Sequence, residues 1–203
     1  KSFNYQFDDA HNEQNFFVNK TNIYAFNGLI KNNSKLSFLY GPKKSGKTFL
    51  SKIWLTKNEG IELKNNLDFL INNKNNILID DFLSFDEESV FYLVNNCILN
   101  NLKFLIKSNI KINDIKFKFN DLSSRLKTFD NFEINQPNDE MLLTILTKLL
   151  IDKQFIINSK DIFDYIIKRV DRTYQGIHDI VNKLDVLSLE KKRQLTIPLI
   201  KEI

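Results

Sequence analysis

An α/β unit followed by a small all-helical one is the fold this sequence predicts, and three observations predict it. Short apolar runs that stop at turn-forming or acidic residues alternate with helical segments. After Pro137 the periodicity becomes helical only, and a glycine-containing loop lies between one of the strands and the helix after it. With 203 residues, 42% of them hydrophobic and 27% charged, the chain has the apolar surface to bury a core.

Leu36-Ser37-Phe38-Leu39-Tyr40 is an apolar run closed by Gly41-Pro42 and reads as a buried strand, with a helix following from about Lys47 through Trp54. A short strand is expected at Ile61 to Leu63, and the Asn72 to Asn76 stretch reads as a polar loop. Ile77-Leu78-Ile79 repeats the buried pattern and stops at Asp80 and Asp81. A helix from about Glu87 to Leu99 leads to a further run, Phe104-Leu105-Ile106. Phe117 and Phe119, interleaved with Lys116 and Lys118, predict an alternating strand with one buried face, and a last strand is expected at Phe132 to Ile134. Strands alternating with helices imply parallel βαβ units.

Beyond Pro137, three apolar stripes recur at helical spacing: Leu142, Ile145, Leu146, Leu149 and Leu150; Ile162, Phe163, Ile166, Ile167 and Val170; Ile177, Ile180, Val181 and Leu184. Asn138 suits the start of the first helix as a cap, with Asp139 and Glu140 favoured by the helix dipole, and Pro198 suits the opening of a final short helix.

Several function classes fall away on composition. Cys97 is the single cysteine, so no internal disulfide forms, no Cys/His cluster offers a metal site, and a reducing, cytoplasmic location is expected. Met141 to Ile151 is too short and too interrupted to span a bilayer, so no membrane role is expected. The net charge of +4 comes from lysines scattered among acids, which reads as solvated faces.

The five glycines are informative because two of them fall within Gly41-Pro42-Lys43-Lys44-Ser45-Gly46-Lys47-Thr48, a complete G-x-x-x-x-G-K-[ST] phosphate loop placed between a strand and a helix. Its glycines let backbone N–H groups turn inward around a phosphate at a helix N-terminus. Lys47 is expected to reach the β- and γ-phosphates of ADP or ATP, with Phe49 next along the helix, and Thr48 to hold Mg²⁺ through its hydroxyl. Asp80, at the end of a neighbouring strand, is the second Mg²⁺ residue, and Asp81 is placed to orient or deprotonate an attacking water.

These pieces resemble the AAA+ ATPases of the DnaA/Hda family, and within it the shorter Hda-type members, regulatory inactivators of DnaA. The resemblance implies a base domain with a five-stranded parallel sheet over residues 1–136, with 1–14 as an N-terminal extension, and a helical lid domain over 137–203. It places Val18 and Asn22 of the 15–26 segment in the adenine pocket and Asn109 as the residue sensing the γ-phosphate. Leu122-Ser123-Ser124-Arg125-Leu126 is similar to the segment that carries the arginine finger, which makes Arg125 the candidate finger, directed at a neighbour's nucleotide. A permanently charged planar fork suits the charge spread over a departing γ-phosphoryl group. The segment from Arg193 to Ile203 resembles the way Hda-type chains finish, without the helix-turn-helix domain with which DnaA reads duplex DNA, so no sequence-specific DNA binding is expected. The partners implied are DnaA and the DNA sliding clamp, and a homo-oligomer is compatible with an outward finger.

Two departures qualify the resemblance. Gln175 stands where the family has its second sensor arginine, with Arg172 almost one helical turn away, so intrinsic ATPase activity is expected to be weak or absent. The clamp-docking peptide is not found: Tyr5-Gln6-Phe7-Asp8 is a poor match. The expected function is therefore stimulation of DnaA-bound ATP hydrolysis in trans. The alternative is a self-sufficient ATPase acting on a helicase and single-stranded DNA, which requires a basic groove bearing aromatic residues, with Phe117 and Phe119 as the only candidates. A small-molecule kinase lacks an acceptor motif, and a nucleotide-stabilised scaffold is the plainest reading.

Overall fold

Side-chain alternation along five parallel strands divides the first part of the molecule into three layers. The computed structural model describes residues 13, 16–63, 74–157 and 159–203. Strands β1 (Leu36–Tyr40), β2 (Ile61–Leu63), β3 (Ile77–Asp80), β4 (Phe104–Ser108) and β5 (Asp130–Glu133) pair in the order β2-β3-β4-β1-β5, every pair parallel. Phe38, Ile77, Ile79, Phe104 and Ile106 point to one face. There α3 (Glu87–Leu99) covers them with Val90, Leu93, Val94 and Cys97, and α4 (Asn120–Leu126) with Leu122 and Leu126. Leu39, Leu78, Leu105 and Phe132 point to the other face, under α1 (Ile23–Phe26), its π-helical continuation Asn27–Lys31, and α2 (Lys47–Lys57). Burial pushes the Cys97 thiol up to about 12, so it stays a protonated, inert core group.

A third core lies beyond Pro137, built by α5 (Asp139–Asp152), α6 (Asp161–Ile167), α7 (Tyr174–Lys191) and the short α8 (Ile197–Ile200) around Leu142, Leu146, Leu150, Ile166, Ile177 and Leu184. The expected caps are formed: the Asn138 side chain accepts from the Met141 N–H at 3.0 Å, and Pro198 lies in the first turn of α8. Asn138→Ala is expected to destabilise the chain by about 1 kcal/mol in denaturant titration, with Asn138→Asp near wild type. An equal loss in both variants would contradict the capping role.

The structure differs from the sequence reading at four places. Residues 116–119 form no strand. Phe117 stacks on Phe82 and Phe119 meets Phe91 edge-on, with ring centroids 6.3 and 5.1 Å apart, so side-chain packing rather than a ladder produced the alternation. The last strand is Asp130–Glu133 instead of 132–134, and α2 runs on to Lys57. Asn76 is more than a loop residue: its side chain donates to the Asn58 carbonyl and accepts from the Lys103 N–H, which ties the start of β3 to the chain leaving α2. Residues 72 and 73 and the Tyr5 to Asp8 peptide lie outside the described residues.

Candidate functional site

Backbone geometry requires glycine at two points of the 41–48 loop. At Gly41 φ is +154° and an added Cβ would stand 2.1 Å from the Ile134 carbonyl oxygen, where β1 leaves the sheet beside the end of β5. At Gly46 φ is +99°, and the residue caps α2. This winding wraps the loop over the N-terminus of α2, whose first N–H groups lack partners within the helix and carry partial positive charge. Pro42, Lys43 and Lys44 are exposed, whereas Ser45 is buried and its Oγ has no hydrogen-bond partner. A buried hydroxyl without a partner beside a helix N-terminus has the chemistry to accept or donate to an oxygen-rich ligand.

Lys47 is only 6% exposed and donates to the carbonyls of Gly41 at 2.7 Å and Pro42 at 2.5 Å. Burial pushes its ammonium down to about 8, the charge of Lys107 pushes the same way, and Asp80 partly opposes both. Thr48 is exposed on the first turn, and Phe49 packs its ring against Phe16 with centroids 5.7 Å apart.

The parallel register sets the next contact. Asp80 on β3 pairs with Lys107 on β4, so the two side chains share the face that α2 covers. Lys107 Nζ lies 2.6 Å from the Asp80 carboxylate and donates to the Thr48 hydroxyl at 3.0 Å. The two residues expected to hold Mg²⁺ are therefore both engaged by a protein ammonium. As arranged, this trio does not fit a divalent ion, which demands oxygen ligands at roughly 2.1 Å on all sides and would be repelled by the lysine.

Asp81 is exposed and held in the left-handed region, φ +52°, immediately after the strand. Asn109 is exposed just past the end of β4, while Ser108 beside it is buried and its Oγ accepts from the Ile110 N–H. Val18 is 40% exposed and Asn22 only 1%. Asn22 donates through Nδ2 to the Phe17 carbonyl and the Tyr174 hydroxyl, at 2.8 and 3.2 Å. Tyr174 also lays its ring edge 3.3 Å from where a Cβ of Gly46 would stand, so a residue of α7 touches both the phosphate loop and the segment before α1. Its burial raises the phenol to about 12, with the Asn22 and Thr21 hydrogen bonds acting the other way.

The sequence model of the family described as "Hda, lid domain" matches residues 139–203. The chromosomal replication initiator protein DnaA of Buchnera aphidicola subsp. Cinara cedri is 25% identical over 228 residues, covering 98% of this chain and 52% of its own. Domain III of Thermotoga maritima DnaA superposes with a TM-score of 0.78 at 16% identity, covering 95% of each chain. Residues 139–203 thus match the Hda lid family, and the chain as a whole has the α/β AAA+ fold of DnaA domain III with a helical lid. It spans about half the length of the DnaA relative it matches. The AMPPCP-bound DnaA of Aquifex aeolicus shares the fold, with a TM-score of 0.70 and 18% identity over 87% of this chain and 65% of that one.

The residues singled out from the sequence are not all gathered at the loop. Gln175 is exposed and donates to Asp179 of its own helix at 2.7 Å. Arg172, the neighbouring cation, pairs with Asp139 at the start of α5. Arg125 is exposed in the last turn of α4. Among the described residues no helix is long and apolar enough to cross a membrane. Sequence reasoning missed Lys107 and Tyr174. A charged residue after an apolar run reads as a strand end, and a tyrosine at a helix start reads as core.

Proposed function

We propose that this chain is a nucleotide-binding regulator of replication initiation that offers Arg125 to ATP held by DnaA and so converts it to the ADP form, with the sliding clamp as the platform. One observation carries the reading. The chain has four arginines, of which Arg169 stacks on Tyr165, Arg172 pairs with Asp139 and Arg193 pairs with Glu202. Arg125, the only arginine before the helical part, is exposed and makes no side-chain contact of this kind among the described residues. A guanidinium left unpaired on a helix end has no structural task there and is available to a partner's phosphates.

The nucleotide of this chain itself is assigned to the 41–48 loop. The N–H groups at the start of α2, the Ser45 hydroxyl and the Lys47 ammonium hold phosphate oxygens, and Asn22 and Val18 border the base. The match to the Hda lid model over residues 139–203 and the likeness to DnaA structures, one of them with AMPPCP bound, support the reading. In the partner's site, the Arg125 fork neutralises charge that builds on the γ-phosphoryl oxygens as the bond to the β-phosphate breaks. Single-stranded DNA remodelling is disfavoured because Phe117 and Phe119 pack inward against Phe82 and Phe91 and offer no stacking platform.

The test preloads DnaA with labelled ATP, adds DNA-loaded clamp, and follows the ADP fraction with wild type or Arg125→Ala. Wild type is expected to accelerate conversion and the variant to lose that stimulation by about 10³-fold, the scale of an absent arginine finger. Undiminished stimulation by Arg125→Ala sinks the proposal, and omission of the clamp measures its share.

A further inference from the structure

We propose that the Lys107 ammonium is a built-in cation that takes the place of Mg²⁺, so that the phosphate loop binds its nucleotide without a divalent metal. The inference rests on the nucleotide-binding reading given above.

A lysine at this position is costly. Lys107 lies on β4, paired on both sides by β3 and β1, and is only 6% exposed. A lysine in the middle of a sheet is rare unless its charge is answered. Among the described residues it is answered by two groups, the Asp80 carboxylate at 2.6 Å and the Thr48 hydroxyl at 3.0 Å, which are the oxygen pair that the loop and the neighbouring strand would present to a metal. An ammonium carries three donors. Two are used by Asp80 and Thr48, which leaves one for a phosphate oxygen.

The charge balance points the same way. Lys47 and Lys107 supply two positive charges against the single negative charge of Asp80 in the same pocket, so the site is already cationic before a phosphate arrives. A divalent ion placed between Thr48 and Asp80 would stand within about 3–4 Å of the Lys107 charge, where repulsion in a partly dry site is worth several kcal/mol. Lys107 would first have to give up both partners on a buried strand. An ammonium also differs from a metal in what it can do. It stabilises phosphate charge but provides no octahedral frame for a water or for the β- and γ-oxygens together. Such a site retains a nucleotide and hydrolyses it poorly, which suits a chain whose proposed catalytic contribution, Arg125, is given to a partner.

The test measures the affinity of the full chain for N-methylanthraniloyl-ADP by fluorescence, in excess Mg²⁺ and in excess EDTA. Wild type is expected to bind within about threefold in the two buffers. Lys107→Thr, which frees both oxygen ligands, is expected to lose at least about tenfold in EDTA and to recover in Mg²⁺. Wild-type binding that needs Mg²⁺ by about tenfold or more overturns the inference while leaving the nucleotide site intact. EDTA binding by Lys107→Thr equal to wild type overturns it as well. Absence of wild-type binding in both buffers removes the nucleotide-binding reading itself and this inference with it. The wild-type comparison needs no variant, so it decides even if Lys107→Thr, checked by its thermal melt, fails to fold.

Discussion

Lys47→Ala is expected to weaken nucleotide binding by at least about 100-fold while leaving the ligand-free protein as stable as wild type or more so. The two halves of this result have one cause. Lys47 is buried with the Gly41 and Pro42 carbonyls as its hydrogen-bond partners among the described residues, and desolvation holds its ammonium down to about 8, so the folded chain pays for a charge it does not fully satisfy. A phosphate is the group that answers that charge, and removing the lysine removes both the strain of burial and the reason to bind. Titration with a fluorescent nucleotide and a thermal melt without ligand check the pair. Affinity within threefold of wild type, or a variant that melts well below it, contradicts the assignment of Lys47 to ligand rather than to structure.

The second large effect concerns Trp54, fully buried in α2 behind the loop. Trp54→Ala is expected to cost about 3–5 kcal/mol, a large share of a typical domain's stability, and to lower Tm by roughly 10 °C. Trp54→Phe is expected to cost only about 1–2 kcal/mol, because the indole Nε1 is buried without a hydrogen-bond partner and its deletion sacrifices no bond. Equal losses in the two variants would show that Nε1 is bonded in solution, through an ordered water for example.

Much of this architecture was legible from local chemistry. The limits of β1, β2 and α3 agree with the apolar runs, β1 closing at Gly41-Pro42, and in the structure the Asp86 side chain starts α3 by accepting from the Ser89 N–H. Strand β5 was displaced in the reading because Asp130 and Asn131 are polar and exposed. At a sheet edge the ladder to β1 outweighs propensity. Lys107 marks the deeper limit. Nothing within ten residues of it in the sequence distinguishes a solvated strand end from an ammonium clamped between Asp80 and Thr48. That distinction depends on the register of β3 against β4 and on the face that α2 covers, and both arise only when distant segments meet. The Gln175 departure was legible, but its consequence was not: the side chain turns to Asp179 within α7, and Tyr174 beside it is the residue that reaches the loop.

The strand order carries a kinetic consequence. β1 is the first strand of the chain, yet its neighbours in the sheet are β4 and β5, the last two. During synthesis the β4 edge of β1 cannot pair until the chain has been extended through Ser108, and its other edge waits until Glu133. The helices after Pro137 pack chiefly on one another, α5 against α6 and α7 and α7 against α8. Insertion of β1 between two strands made much later is a non-local pairing, which is expected to slow folding relative to the local helix contacts after Pro137.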